Sequence, residues 1–62
     1  MYIVELEEGV WIAPWKGDPG RTLKEENALR YYTEHNAKKG LEAARKYRPF
    51  KVGRVINLKE SK

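Results

Sequence analysis

The chain has 62 residues, thirteen Lys and Arg against nine Asp and Glu, one His and no Cys. So short a chain builds one core, so a single domain over residues 1–62 is expected, burying only about 60% of the unfolded chain's surface. Without Cys there are no disulfides or thiolate metal sites, and one His cannot anchor zinc unaided, so packing of the seven aromatics and the aliphatic residues must hold the fold.

An apolar fraction of 40% with 35% charged residues suits a globular domain, not a disordered tail. No apolar run approaches the roughly 18 residues that read as a membrane span. Residues 1–8 show neither the basic start nor the apolar stretch of a secretion signal. A cytoplasmic protein with no membrane, metal or cofactor partner is therefore expected.

Residues 2–7 alternate with period two, placing Tyr2, Val4 and Leu6 on one face and Ile3, Glu5 and Glu7 on the other. Glu8-Gly9 supplies a tight connection, and residues 10–15 resume the alternation with Val10 and Ile12 opposite Trp11, Ala13 and Trp15. The two segments predict a β-hairpin. Asp18-Pro19-Gly20-Arg21 fits a type II turn, with Pro at its second position and Gly at its third. Thr22 and Glu25 match a capping box, which leads either into a short helical turn through Glu25 and Asn27 or into irregular chain. Residues 28–32, with their paired tyrosines, lean towards strand.

Thr33 is the better helix cap, because Ala37, Gly40, Leu41, Ala44 and Tyr47 then recur on one helical face and predict a helix over 34–47. Glu34–Lys38 and Glu42–Lys46 are spaced to pair along it. Pro49 ends the helix. Residues 50–58 read as a last strand with Val52, Ile56 and Leu58 on one side, Arg54 interrupting that face and Gly53 marking a bulge or turn. Residues 59–62 read as a frayed tail. The fold class that follows is α+β: a small antiparallel sheet of three to four strands, in the order β-β-(β)-α-β, with one helix packed on one face.

The motifs Gly9-Val-Trp-Ile-Ala-Pro-Trp15, Gly17-Asp-Pro-Gly-Arg-Thr22 and Ala44-Arg-Lys-Tyr-Arg-Pro-Phe50 resemble those of small uncharacterised phage and prophage proteins of Gram-positive bacteria. The resemblance spans roughly residues 2–56 and implies a mobile-element origin and a cytoplasmic setting, without assigning a site. Tyr31, Thr33 and Ala37 are also similar to the Phe-x-Thr-x-x-x-Ala helix entrance of the arm-binding domains of phage integrases, although those domains lack the strand after the helix. That likeness implies a sheet with one helix, and a shared fold does not fix function.

Charge is divided unevenly along the chain. Residues 1–33 carry four basic and six acidic side chains, whereas residues 34–62 carry nine basic and three acidic. Lys38, Lys39, Arg45, Lys46, Arg48, Lys51 and Arg54 form a basic set suited to weak, salt-sensitive phosphate-backbone contact, with Tyr47 and Phe50 interleaved for stacking on unpaired bases. The plain alternative is a solvated helix face whose cations complement the helix dipole. A second candidate surface joins Trp11 and Trp15 to Asp18 and Arg21, as a protein interface or homodimer contact. A tryptophan core is the plain alternative there. No catalytic constellation is evident: His35 has no nucleophile beside it, and Ser61 is the only serine. A non-catalytic binding module is expected.

Overall fold

A computed structural model describes residues 1–17 and 19–58; Asp18 of the expected turn and the expected frayed tail at 59–62 lie outside the described residues. The elements follow in the order β1 (Tyr2–Glu7), β2 (Val10–Ile12), β3 (Arg21–Thr22), a 3-10 turn (Glu25–Asn27), α1 (Glu34–Arg45) and β4 (Arg54–Asn57). The strands form one antiparallel sheet in the spatial order β3-β2-β1-β4, and α1 packs on one face of it. The expected α+β class and single-helix layer are therefore present.

The hairpin forms as alternation predicts, with Gly9 at φ 78° supplying the turn conformation that a side chain resists. Its register is irregular: Glu5 opposes Trp11 and Glu7 opposes Val10, so Leu6 is the extra residue of a bulge. The bulge moves Glu7 from its expected face to a position opposite Val10. β2 stops at Ile12, short of the expected residue 15, and Pro14 supplies no amide with which to extend the ladder.

After β2 the Ala13 amide donates to the Gly20 carbonyl at 2.9 Å, which draws the chain back towards β3. Gly20 does not take the positive φ of the expected type II turn. It is needed for space, because a Cβ there would run into the Trp15 carbonyl. The third strand is β3, not the expected segment 28–32. Thr22 accordingly sits in a strand, and its hydroxyl accepts the Lys24 amide at 3.1 Å, the local turn bond of a Thr and not a helix cap. The helical turn through Glu25 and Asn27 is present without a side-chain cap. Segment 28–32 still docks on the sheet. Tyr2 and Tyr31 exchange both backbone hydrogen bonds at 2.7 and 2.8 Å, and the Leu29 amide donates to Ile12 at 2.8 Å.

Thr33 caps α1 through its hydroxyl, which accepts the Asn36 amide at 3.1 Å. Ala37, Leu41 and Ala44 are buried and join Val4, Leu6, Ile12 and Phe50 in the core, where each large side chain removed from water contributes about 1.5–3 kcal/mol. The Glu34–Lys38 pair forms at 3.6 Å, whereas the expected pair between Glu42 and Lys46 does not form. The helix ends at Arg45, two residues before expected, and Pro49 disfavours helical backbone at the residue before it. Tyr47 is thus off the buried stripe and 61% exposed, and Phe50 closes the core in its place.

β4 begins only at Arg54, after Gly53 at φ 48°. Its register with β1 pairs Glu5 with Arg54, Val4 with Val55 and Ile3 with Ile56. Val55, not the expected Val52, Ile56 and Leu58, therefore faces α1 and packs on the core. The Glu5 carboxylate holds this register, meeting Arg54 Nε at 3.0 Å and accepting the Gly9 amide at 3.1 Å. A slip of one residue would exchange the two faces.

Candidate functional site

The basic set gathers on the solvent side of α1 and on the turn after it. Lys39 and Lys46 point away from the sheet on α1, opposite the buried Ala37, Leu41 and Ala44. Arg48 and Lys51 follow in the turn, both exposed. Among the described residues, only two of the seven cations engage a carboxylate: Lys38 with Glu34, and Arg54 with Glu5. Arg54 also lies on the sheet face opposite α1, sharing it with Glu5 and Trp11 by register. Arg54 is therefore separated from the patch and tied into the fold.

Arg45 faces the loop before β4, where its guanidinium covers Gly53 so closely that a Cβ there would strike it. Lys39, Arg45, Lys46, Arg48 and Lys51 remain as cations without a carboxylate partner among the described residues. Of the two aromatics expected to stack on bases, Tyr47 is exposed and available. Phe50 is 5% exposed and belongs to the core, so it offers at most an edge.

The tryptophan surface comes apart in a different way. With β2 ending at Ile12, Trp11 and Trp15 do not share a strand face. Trp11 is half-buried on the face away from α1, and its indole Nε1 is enclosed with no hydrogen-bond partner among the described residues. That face is not an open apolar plane, since Ile3 and Glu5 on it are buried. Trp15 is 51% exposed, and its Nε1 donates to the Arg21 carbonyl at 3.1 Å, which fixes the backbone of β3.

Arg21 pairs with Ile12 in register and so lies on the α1 side of the sheet. It therefore separates from Trp11 and approaches the basic turn. Arg21 and Arg48, assigned by sequence to different surfaces, line one cavity of about 330 Å³. Glu7, Val10 and Leu23 line it as well and were not singled out by sequence. The one available signal was Leu23, an apolar residue inside an otherwise polar stretch.

Among the described residues no group of three His, Asp or Glu is placed to hold a metal ion, and no helix is long and apolar enough to cross a membrane. Comparison with models of known protein families, with curated proteins and with solved structures finds no significant match.

Proposed function

We propose that this chain is a non-catalytic, cytoplasmic binding module of phage or prophage origin that contacts nucleic acid through the basic end of α1 and the turn after it. The observation that carries the reading is the set of five exposed cations, Lys39, Arg45, Lys46, Arg48 and Lys51, without carboxylate partners among the described residues, with Tyr47 exposed between Lys46 and Arg48 in the chain. Unpaired cations beside a solvent-facing ring suit phosphate contact with accompanying base stacking. Among the described residues α1 forms one ion pair, Glu34 with Lys38, and Lys39, Arg45 and Lys46 are exposed.

The test is an NMR titration of the labelled chain with short single- and double-stranded DNA at low and moderate salt. Shifts are expected at residues 38–51, with affinity falling as salt rises by a log–log slope of about −0.7 per phosphate contact on single strands. An absence of shifts at low salt overturns the reading. A protein-interaction or homodimer role is the second reading, and exposed Trp15 favours it. Sedimentation mass that rises with concentration would support it.

A further inference from the structure

The cavity beside β3 has a composition that the basic patch alone does not explain. Its apolar floor comes from Val10 and the rim of buried Phe50, and its apolar wall from Leu23, a leucine 77% exposed. Arg21 and Arg48 stand on its sides, and neither has a carboxylate partner among the described residues, although Glu7 lines the same cavity. The fold fixes the backbone from which each of these exposed side chains extends. Arg21 lies in β3, whose backbone is held by the Trp15 indole and by register with Ile12. Arg48 is set by the end of α1, where its amide reaches the Ala44 carbonyl at 3.3 Å.

The cavity lies past the end of α1, lined by the strands and by the turn that follows the helix. About 18 Å of helix covers the middle of the sheet, and the returning turn inserts Phe50 without filling the space above Val10. Its volume lies at the lower end of the range of small-molecule sites, roughly 300–1,000 Å³. Two guanidiniums flanking an apolar floor fit an anion joined to a flat ring, and a nucleotide unit has both parts. Guanidinium forks match phosphate oxygens, while Leu23 and Val10 offer a surface to a base face. Glu7 adds an acceptor for an exocyclic amino group.

We propose that this cavity is a nucleotide pocket, holding one unit of single-stranded nucleic acid with its phosphate on Arg21 and Arg48 and its base against Val10 and Leu23. The assignment rests on the nucleic-acid reading and deepens it: Arg48 belongs to both the patch and the pocket, so a strand crossing the basic turn delivers one nucleotide into the cavity. Single strands are then preferred over duplex, because a paired base cannot enter.

The test uses the full chain with three probes: adenosine 5′-monophosphate, inorganic phosphate, and an oligodeoxynucleotide of about ten units, which is within the span of one small binding module. The monophosphate is expected to shift the amides of Glu7, Val10 and Leu23, and inorganic phosphate at equal concentration is not. Arg21→Ala lies outside the helix-end patch and removes only an exposed side chain. It is expected to weaken oligonucleotide binding about tenfold, the loss of one charge-assisted contact. Leu23→Ser should weaken the monophosphate without touching any charge.

Equal shifts from phosphate alone would mean an adventitious ion only and overturn the pocket. A wild-type oligonucleotide complex that Arg21→Ala leaves unchanged would also overturn it, while the patch stands. Failure of the oligonucleotide to bind at all would overturn the patch, and with it the strand-held nucleotide assigned to the cavity.

Discussion

Replacing Gly40 by Ala sets two effects of known sign against each other. In an exposed helix interior this change stabilises by about 0.8–1 kcal/mol, since glycine is the more costly residue to order. At Gly40 a Cβ would lie 2.8 Å from Tyr31 Cζ and 3.1 Å from Cε2, against 3.4–4 Å for ordinary contact, and closer still to the hydroxyl. The Tyr31 backbone is held to Tyr2 by two hydrogen bonds, so the ring must swing aside from a half-buried position against the core. Overpacking of this kind costs about 1–3 kcal/mol.

Gly40→Ala alone is therefore expected to destabilise by about 1 kcal/mol, lowering Tm by roughly 4–8 °C in a domain of this size. In a Tyr31→Ala background the same change should stabilise by about 1 kcal/mol. The coupling between the two positions is then about 2 kcal/mol, within the span seen for residues in contact. Urea unfolding of the four proteins closes the cycle. Additive effects, with Gly40→Ala stabilising in both backgrounds, would show that Tyr31 does not rest on α1 and would refute the packing described for segment 28–32.

Two further outcomes test the interior. Glu5→Ala removes the acceptor shared by Arg54 and the Gly9 amide, and should cost about 1.5–3 kcal/mol in a urea titration, more than any single exposed charge on α1. A cost no larger than that of Glu34→Ala would mean that the buried carboxylate does not hold the β1–β4 register. Burial raises the Tyr31 phenol above its ordinary value of 10.0. A group with a raised folded pKa contributes stability that is complete below its unfolded pKa and lost as pH rises through the folded one. Stability should thus be unaffected by Tyr31 below about pH 10 and decline above it, and Tyr31→Phe should flatten that decline in unfolding curves collected from pH 8 to 11.

Hydrophobic periodicity and capping chemistry act over a few residues, so they are legible without tertiary information. The β1–β2 hairpin, the Gly9 turn, the Thr33 cap and the Ala37–Leu41–Ala44 face of α1 are all of this kind, and together they dictate a helix layered on a small antiparallel sheet. The bulge at Leu6 was not legible, because an extra residue leaves the alternation of β1 intact and is revealed only by the partner strand. For the same reason the sequence could not choose the inward face of β4. Residues 52–58 carry apolar side chains on both faces, and it is the Glu5–Arg54 contact, between residues 49 positions apart, that turns Val55 towards the helix. β3 has only two residues and too little pattern to announce itself, so its place beside β2 is decided by pairing and by the Trp15 bond to Arg21. The sequence by itself determined which charges the protein carries and that they crowd towards its second half. The tertiary structure decided which remain unpaired and brought Arg21 to Arg48, because ion pairing and cavity formation depend on contacts between segments that the chain separates.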